Sequence, residues 1–320
     1  MRIVFFGTPE FAVPSLRALL GAGHEVLAVV TQPDRPRRRQ SSPPEPSPVK
    51  AEAQRAGLPV ITPESIAVPD FIERLSGIGP EAIVVVAYGR ILPPEVLTIP
   101  RRWCINLHAS LLPKYRGAAP IARAIMAGEL VTGTTTIKMD QGLDTGDILL
   151  QQECAIGLDE TAGELTRRLA DLGAELLSRT LDLHARNALQ PEKQDPCEAS
   201  LAPSLSRADG RIDWSRGAQD IANQVRGCHP WPVAVTYLRG RPVLIHRAEA
   251  GLEASPARPP RPAPGQVIAA QDAIVVQCQG DTQLRILQVQ FPGRKVMTAR
   301  EAANGRMIRV GETFAQAPPA

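Results

Sequence analysis

The sequence predicts an α/β chain, with an open, mostly parallel sheet first and a smaller β domain after it. Three observations predict this. Runs that are apolar on both faces recur through the first half, and helical stripes alternate with them. The last third breaks instead into short strands separated by turns. The first part is therefore expected to be Rossmann-like, and the second an OB-like β-barrel.

The elements follow in chain order. Arg2 to Phe6 is an apolar strand, and Thr8 is expected to cap the following turn, with Pro9 and Glu10 suited to a first helical turn. Leu16, Leu19 and Leu20 form a helical stripe that stops at Gly21 and Gly23. Val26 to Thr31, Ala82 to Ala87 and Cys104 to His108 are further strands. Gln32 to Lys50 is dense in proline and carries four arginines, so it is expected to be a loop. Thr161 to His184 is a helix with Leu165, Leu169, Leu172, Leu176 and Leu177 on its apolar side. The chain then turns polar and irregular, which sets expected boundaries: residues 1–189 as one domain, 190–206 as a linker and 207–315 as a basic β-barrel. Within the last, Gln219 to Val225 is a short helix. Strands are expected at Val233–Leu238, Val243–Ala248, Gln266–Ala270, Ala273–Cys278 and Gln283–Gln290.

Composition narrows the class. The chain has 320 residues, 43% of them apolar, and no run approaches the roughly 20 apolar residues of a membrane span. The opening M-R-I-V-F-F-G is broken too early to be a signal peptide. Five scattered cysteines without a C-x-x-C pair argue against disulfides and zinc, and for the reducing cytoplasm. The net charge of +3 is uneven, with 15 basic against 9 acidic residues from Arg207 onward. Such a tail suits a polyanionic partner, and equally an unspecific basic surface.

The chemistry gathers in I-N-L-H-A-S-L-L-P-K-Y-R-G, Ile105 to Gly117. Asn106 and His108 stand two apart on a strand, so they share a face. An amide N–H and an imidazole N–H side by side suit a developing oxyanion. They suit equally a polar strand end bonded to its own loops. The partner that decides is in D-Q-G-L-D-T-G-D, Asp140 to Asp147. A calcium loop is excluded, because Gly142 falls on a ligand position and Gln151 stands where the twelfth-position glutamate belongs. What remains is a glycine-flexed loop presenting Asp144, a carboxylate that favours a charged His108.

Cys104 shares the parity of Asn106, but nothing beside it activates a thiolate. His24, His184 and His246 are expected to be structural, His184 as a cation suited to a helix end. After the first strand G-T-P-E-F-A lacks the dinucleotide turn, and the chain holds no G-x-x-x-x-G-K-S/T loop. Neither a nucleotide cofactor nor a metal is expected.

Taken together, N-x-H-x-S-L-L-P-x-Y-R-G and D-x-G-x-D-T-G-D resemble the folate-dependent formyltransferases. T-Q-P-D-R-P, S-P-V-K, Y-R-G-A-A-P-I, G-R-I-D-W and H-P-W-P are similar to the branch that acts on initiator tRNA. The resemblance implies catalytic roles for Asn106, His108 and Asp144. It implies 10-formyltetrahydrofolate as donor, lying along Ser110, Leu111, Leu112 and Pro113 and against Val86, Tyr88, Gly89 and Leu92. It implies the α-amine of methionyl-initiator tRNA as acceptor, with Arg37, Arg38 and Arg39 on the acceptor arm, no membrane partner, and a monomer. One departure is that a loop reading G-R-G-K/R in many members is here R-R-R-Q-S-S-P-P-E. Formylation of an amino-sugar nucleotide, and RNA binding without catalysis, are the alternatives.

Overall fold

Strand β1 (Arg2–Gly7) lies between β2 (Glu25–Val30) and β4 (Ala82–Val86), with β3 (Val60–Ile61) outside β2. On the other side follow β5 (Cys104–His108), β6 (Val131–Lys138) and β7 (Asp147–Ala155), giving the order β3-β2-β1-β4-β5-β6-β7. The first five strands are parallel, and β6 runs antiparallel to both its neighbours, β5 and β7. The computed structural model describes residues 1–34, 44–251 and 262–317. Its chain divides into two compact units. One holds Met1–Pro120, Val131–Ala155 and Thr166–Pro203; the other holds Ile121–Leu130, Ile156–Leu165 and the chain from Ser204.

Both faces of the first sheet are buried, as the unbroken apolar runs require. Ile3, Phe5, Val84, Val86, Ile105 and Leu107 face Leu16 and Leu19 of α1 (Val13–Gly21) and Leu177 and Leu181 of a long helix (Ala162–Ala185). Val4, Phe6, Ile83 and Val85 face the opposite way, toward Phe71 and Leu75 of a further helix (Pro69–Ile78). Each such side chain, fully buried, stabilises by roughly 1.5–3 kcal/mol, more than the whole span of strand propensity at about 1 kcal/mol. Burial therefore sets the sheet. Helices in this unit start on proline at Pro48, Pro69 and Pro94, where the missing N–H costs no hydrogen bond.

Two sequence expectations are corrected here. Thr8 caps no helix: its hydroxyl donates to the carbonyl of Tyr88 at 3.1 Å, and α1 starts at Val13 after a 3-10 turn. A loop-to-loop tie across the sheet end competes successfully for the hydroxyl. His184 is not a cation at a helix end. Its ring is buried against Trp103, centroids 4.2 Å apart, and burial pushes its pKa down to about 4.

The second unit contains the helix Ala218–Gly227 and an antiparallel sheet. Its strands are β8 (Ala234–Leu238), β9 (Arg241–Ala250), β10 (Val267–Ala270), β11 (Ile274–Gln277), β12 (Gln283–Gln290) and the short β13 (Met297–Thr298). The order is β10-β11-β12-β9-β8, with β13 paired to β12. Arg239 and Gly240, both at positive φ (51° and 73°), make the two-residue turn between β8 and β9, matching the twist of the hairpin. Residues 311–315 bond to both outer strands. Val267 N–H donates to the Glu312 carbonyl at 2.8 Å, and Ala315 N–H donates to the Tyr237 carbonyl at 2.8 Å. Trp214 stacks on Phe314 inside, and its indole N–H donates to Thr236 Oγ1 at 3.0 Å. All five cysteines are free. Among the described residues, no helix is long and apolar enough to cross a membrane, and no His/Cys/Asp/Glu group could hold a metal ion.

Candidate active site

In the first unit β2 and β4 leave β1 on opposite sides, so the strand order reverses there. Crevices at the carboxyl ends of such strands are where open α/β sheets bind ligands. β5 is the next strand along, and it ends at His108. Asn106 is half-buried and His108 buried. The loop from β6 to β7 leaves the sheet beside Cys104, whose carbonyl accepts Met139 N–H at 2.9 Å. It then folds back and presents Asp144.

The Asp144 carboxylate joins the set. Asn106 Nδ2 donates to its Oδ1 at 3.4 Å, and Gly117 N–H donates to Oδ2 at 2.9 Å. His108 Nδ1 lies 3.6 Å from the same Oδ2. The other ring nitrogen is committed: Nε2 stands 2.9 Å from the Tyr115 carbonyl, which can only accept, so Nε2 carries the proton of that bond. Nδ1 is therefore the edge of His108 that works with Asn106 and Asp144.

This geometry uses backbone that side chains rarely adopt. Asp144 has φ 53° and Tyr115 φ 62°, each costing roughly 1–2 kcal/mol for an L-residue. Asp144 is held there by Gln194, whose amide donates to the carbonyls of Asp144 (2.8 Å) and Gly146 (2.7 Å). Gln194 Oε1 accepts in turn from Arg116 Nε at 3.0 Å and Nη2 at 2.7 Å. Tyr115 N–H donates to Ser200 Oγ at 2.9 Å. The first acid of the motif, Asp140, ties its own turn by accepting from Gly142 N–H and the Thr145 hydroxyl.

Cys104 is buried, and burial pushes its thiol pKa up to about 12. It is a packing residue of the strand.

The residues expected along the donor fall into two kinds. Val86, Tyr88 and Leu92 are core side chains, with Tyr88 edge-on to Phe6 at 5.2 Å. The carbonyl of Tyr88 already accepts from Thr8 and Gln32. What this loop turns outward is Ile91, 73% exposed, which the sequence reading did not single out. Gly89 needs its φ of 85°, and a Cβ there would meet Gln32 Nε2 at 2.7 Å. In the other segment Ser110 and Leu112 are buried, while Leu111 and Pro113 are half-exposed. The Ser110 carbonyl accepts from Thr135 Oγ1 at 2.7 Å, and that of Leu112 from Gln151 Nε2 at 2.8 Å. Arg37, Arg38 and Arg39 lie outside the described residues. Gln194 has no local signal in the sequence; only the folded chain brings it to Asp144.

Comparison with known proteins bears on the whole chain. Residues 1–181 match the family model described as formyl transferase, and residues 204–307 match its C-terminal domain model. The methionyl-tRNA formyltransferase of Caldanaerobacter subterraneus subsp. tengcongensis is 49% identical over 312 residues, covering 97% of this chain and 99% of that one. That of Heliobacterium modesticaldum is 48% identical over 318 residues, covering 98% and 100%. Among solved structures, an N-formyltransferase from Helicobacter canadensis in complex with folinic acid and dTDP-3-aminofucose aligns with a TM-score of 0.65. It is 18% identical and covers 89% of this chain and 98% of its own, a likeness of fold. HypX from Aquifex aeolicus in complex with tetrahydrofolic acid aligns at TM-score 0.60 and 18% identity, over 97% of this chain and 48% of that one. The chain belongs to the methionyl-tRNA formyltransferase family of the formyl transferases.

Proposed function

We propose that Asn106, His108 and Asp144 carry formyl transfer from 10-formyltetrahydrofolate to the α-amine of methionyl-initiator tRNA, giving formylmethionyl-tRNA for translation initiation. One observation carries the reading. A single carboxylate gathers the amide and the imidazole at the end of β5, within 3.4 and 3.6 Å. The donor set fits acyl transfer. It offers N–H groups for an oxyanion and a carboxylate for the amine proton, while the nearby thiol is held protonated.

The amine attacks the formyl carbon, and the carbonyl oxygen gains charge that Asn106 Nδ2 stabilises together with Nδ1–H of His108 in its doubly protonated, charged form. Losing one such donor typically costs about 100- to 1000-fold. The α-amine has an ordinary pKa near 7.7–8.0, so much of it is protonated at neutral pH and must lose a proton to react. Asp144 takes that role, worth roughly 100- to 10,000-fold for general acid–base help. The carbon–nitrogen bond to the folate then breaks, and the proton passes to the departing nitrogen. No covalent enzyme intermediate is needed.

The folate would lie over Leu111 and Pro113 and against the loop from Val86 to Leu92, contacting backbone and Ile91 rather than the buried side chains. Ser110, Leu112 and Tyr88 shape that surface from beneath, and Gly89 is exposed on it. The second unit is read as a partly open OB-like barrel, a reading supported by the bonds of residues 311–315 to both outer strands. Its basic excess, with Arg37, Arg38 and Arg39, would grip the acceptor arm. Activity should then fall steeply with salt as phosphate contacts release counterions. A salt-independent KM for the tRNA would count against that assignment. The expected division at residues 190–206, a monomer, and a reducing cytoplasm complete the reading; the two matched segments support the division. Formylation of a sugar nucleotide is not favoured, because the relatives of that kind share only the fold.

The test incubates purified protein with 10-formyltetrahydrofolate and initiator or elongator methionyl-tRNA, and weighs the released amino acid by mass spectrometry. Formylmethionine from the initiator is expected. Bound tRNA with no product would move the reading to RNA binding without catalysis.

A further inference from the structure

We propose that Gln194 is a positioning residue for this reaction, fixing Asp144 through a clamp that runs from Arg116 through the Gln194 amide to the main chain of the Asp144 loop. The inference rests on the reading of Asp144 as part of the catalytic set.

The clamp is fully bonded. Both amide hydrogens of Gln194 go to carbonyls, Asp144 at 2.8 Å and Gly146 at 2.7 Å. Its oxygen takes two guanidinium N–H groups of Arg116, at 3.0 and 2.7 Å. The orientation of the amide is dictated, since carbonyls only accept and a guanidinium only donates. Only asparagine carries the same pair of N–H donors and carbonyl acceptor, and it is one methylene shorter. The anchors lie outside the loop itself. Arg116 N–H donates to the Ser200 carbonyl at 2.8 Å, and Glu192 and Ile148 exchange N–H bonds at 2.9 and 2.7 Å.

The clamp also closes a ring. Arg116 precedes Gly117, whose N–H binds the Asp144 carboxylate. The loop is thus gripped at its main chain through Gln194 and at its side chain through Gly117, both from one stretch of chain. Asp144 sits at φ 53°, a conformation that relaxes readily when released. Releasing it would move the carboxylate away from His108 Nδ1. A displacement of about 1 Å at a reacting group costs about 100-fold in rate.

Gln194→Glu separates this role from simple space filling. It keeps the size and retains a charged partner for Arg116, but turns an oxygen toward the two carbonyls. Single-turnover rates, KM values and melting temperatures would be measured for the wild type, Q194E, D144N and the double variant. We expect Q194E to lower kcat roughly 30- to 100-fold while both KM values stay within about threefold. We expect the double variant to stay within about threefold of D144N alone, because the clamp acts only through Asp144. A Q194E kcat within threefold of wild type would overturn the proposal, as would losses that multiply in the double variant. A D144N enzyme near wild-type activity would instead remove the reading beneath it. Should Q194E fail to fold by circular dichroism, Gln194→Ala takes its place, with an expected loss of roughly tenfold in kcat alone. An unchanged kcat there would overturn the proposal equally.

Discussion

The main-chain N–H of Gly117 donates to Asp144 Oδ2 at 2.9 Å, the same oxygen that faces His108 Nδ1 at 3.6 Å. Two segments far apart in sequence are thereby locked around one carboxylate, and the position can only be glycine. Its φ is 120°, and a Cβ there would stand 2.8 Å from the Ala202 carbonyl oxygen. Gly117→Ala should destabilise by roughly 1–3 kcal/mol through backbone strain alone. It should also lower kcat at least tenfold, because the N–H that aims Asp144 is displaced. Urea titration and steady-state kinetics on the folded fraction read the two effects separately. A variant with unchanged kcat would detach Gly117 from Asp144.

Cys104 lies on the catalytic strand, yet its thiol is pushed up to about 12 by burial and stays protonated at neutral pH. Cys104→Ala is expected to keep kcat within about twofold and to lose only about 1 kcal/mol of stability, the scale of one small buried group. A collapse of turnover would require a covalent step that the account excludes.

His184 sets a pH dependence of stability. Its folded pKa, lowered by burial and by Arg102, is about 4, below the ordinary value of about 6.5. As pH falls below 6.5 the unfolded chain takes the proton first. Stability is therefore lost progressively from about pH 6.5 to about pH 4, and this contribution is flat outside that window. His184→Phe keeps an aromatic ring against Trp103 and has no proton to take up. The melting temperature of the wild type should fall faster than that of the variant across the window. Parallel curves would contradict the assignment.

Much of the site was legible because strand parity and motif spacing are local. Cys104 to His108 was expected as a strand and is β5 with those bounds, so Asn106 and His108 share a face. β6 and β7 were not foreseen. β6 reads V-T-G-T-T-T-I-K, and its threonines look polar although Thr132, Thr134, Thr135 and Thr136 are all buried. Two of these hydroxyls have partners that only the fold supplies: Thr136 Oγ1 meets Thr180 Oγ1 at 2.9 Å, and Thr135 Oγ1 donates to the Ser110 carbonyl. Gln194 was hidden for the same reason. It sits in a polar stretch without periodicity, and its role exists only where it meets Arg116 and Asp144. The expectation for Thr8 failed because a capping residue is recognised locally, while its actual partner, the Tyr88 carbonyl, lies 80 residues away.

The central claim is that Asp144 acts in the formyl-transfer step itself. The measurement that tests it most directly is the single-turnover rate of Asp144→Asn with saturating 10-formyltetrahydrofolate and methionyl-initiator tRNA. Asparagine keeps the shape and tolerates the left-handed backbone, and removes the charge, its proton chemistry and one of the two acceptor oxygens. The account predicts a rate lower by roughly 100- to 1000-fold, with tRNA affinity unchanged. A rate within threefold of wild type would contradict it.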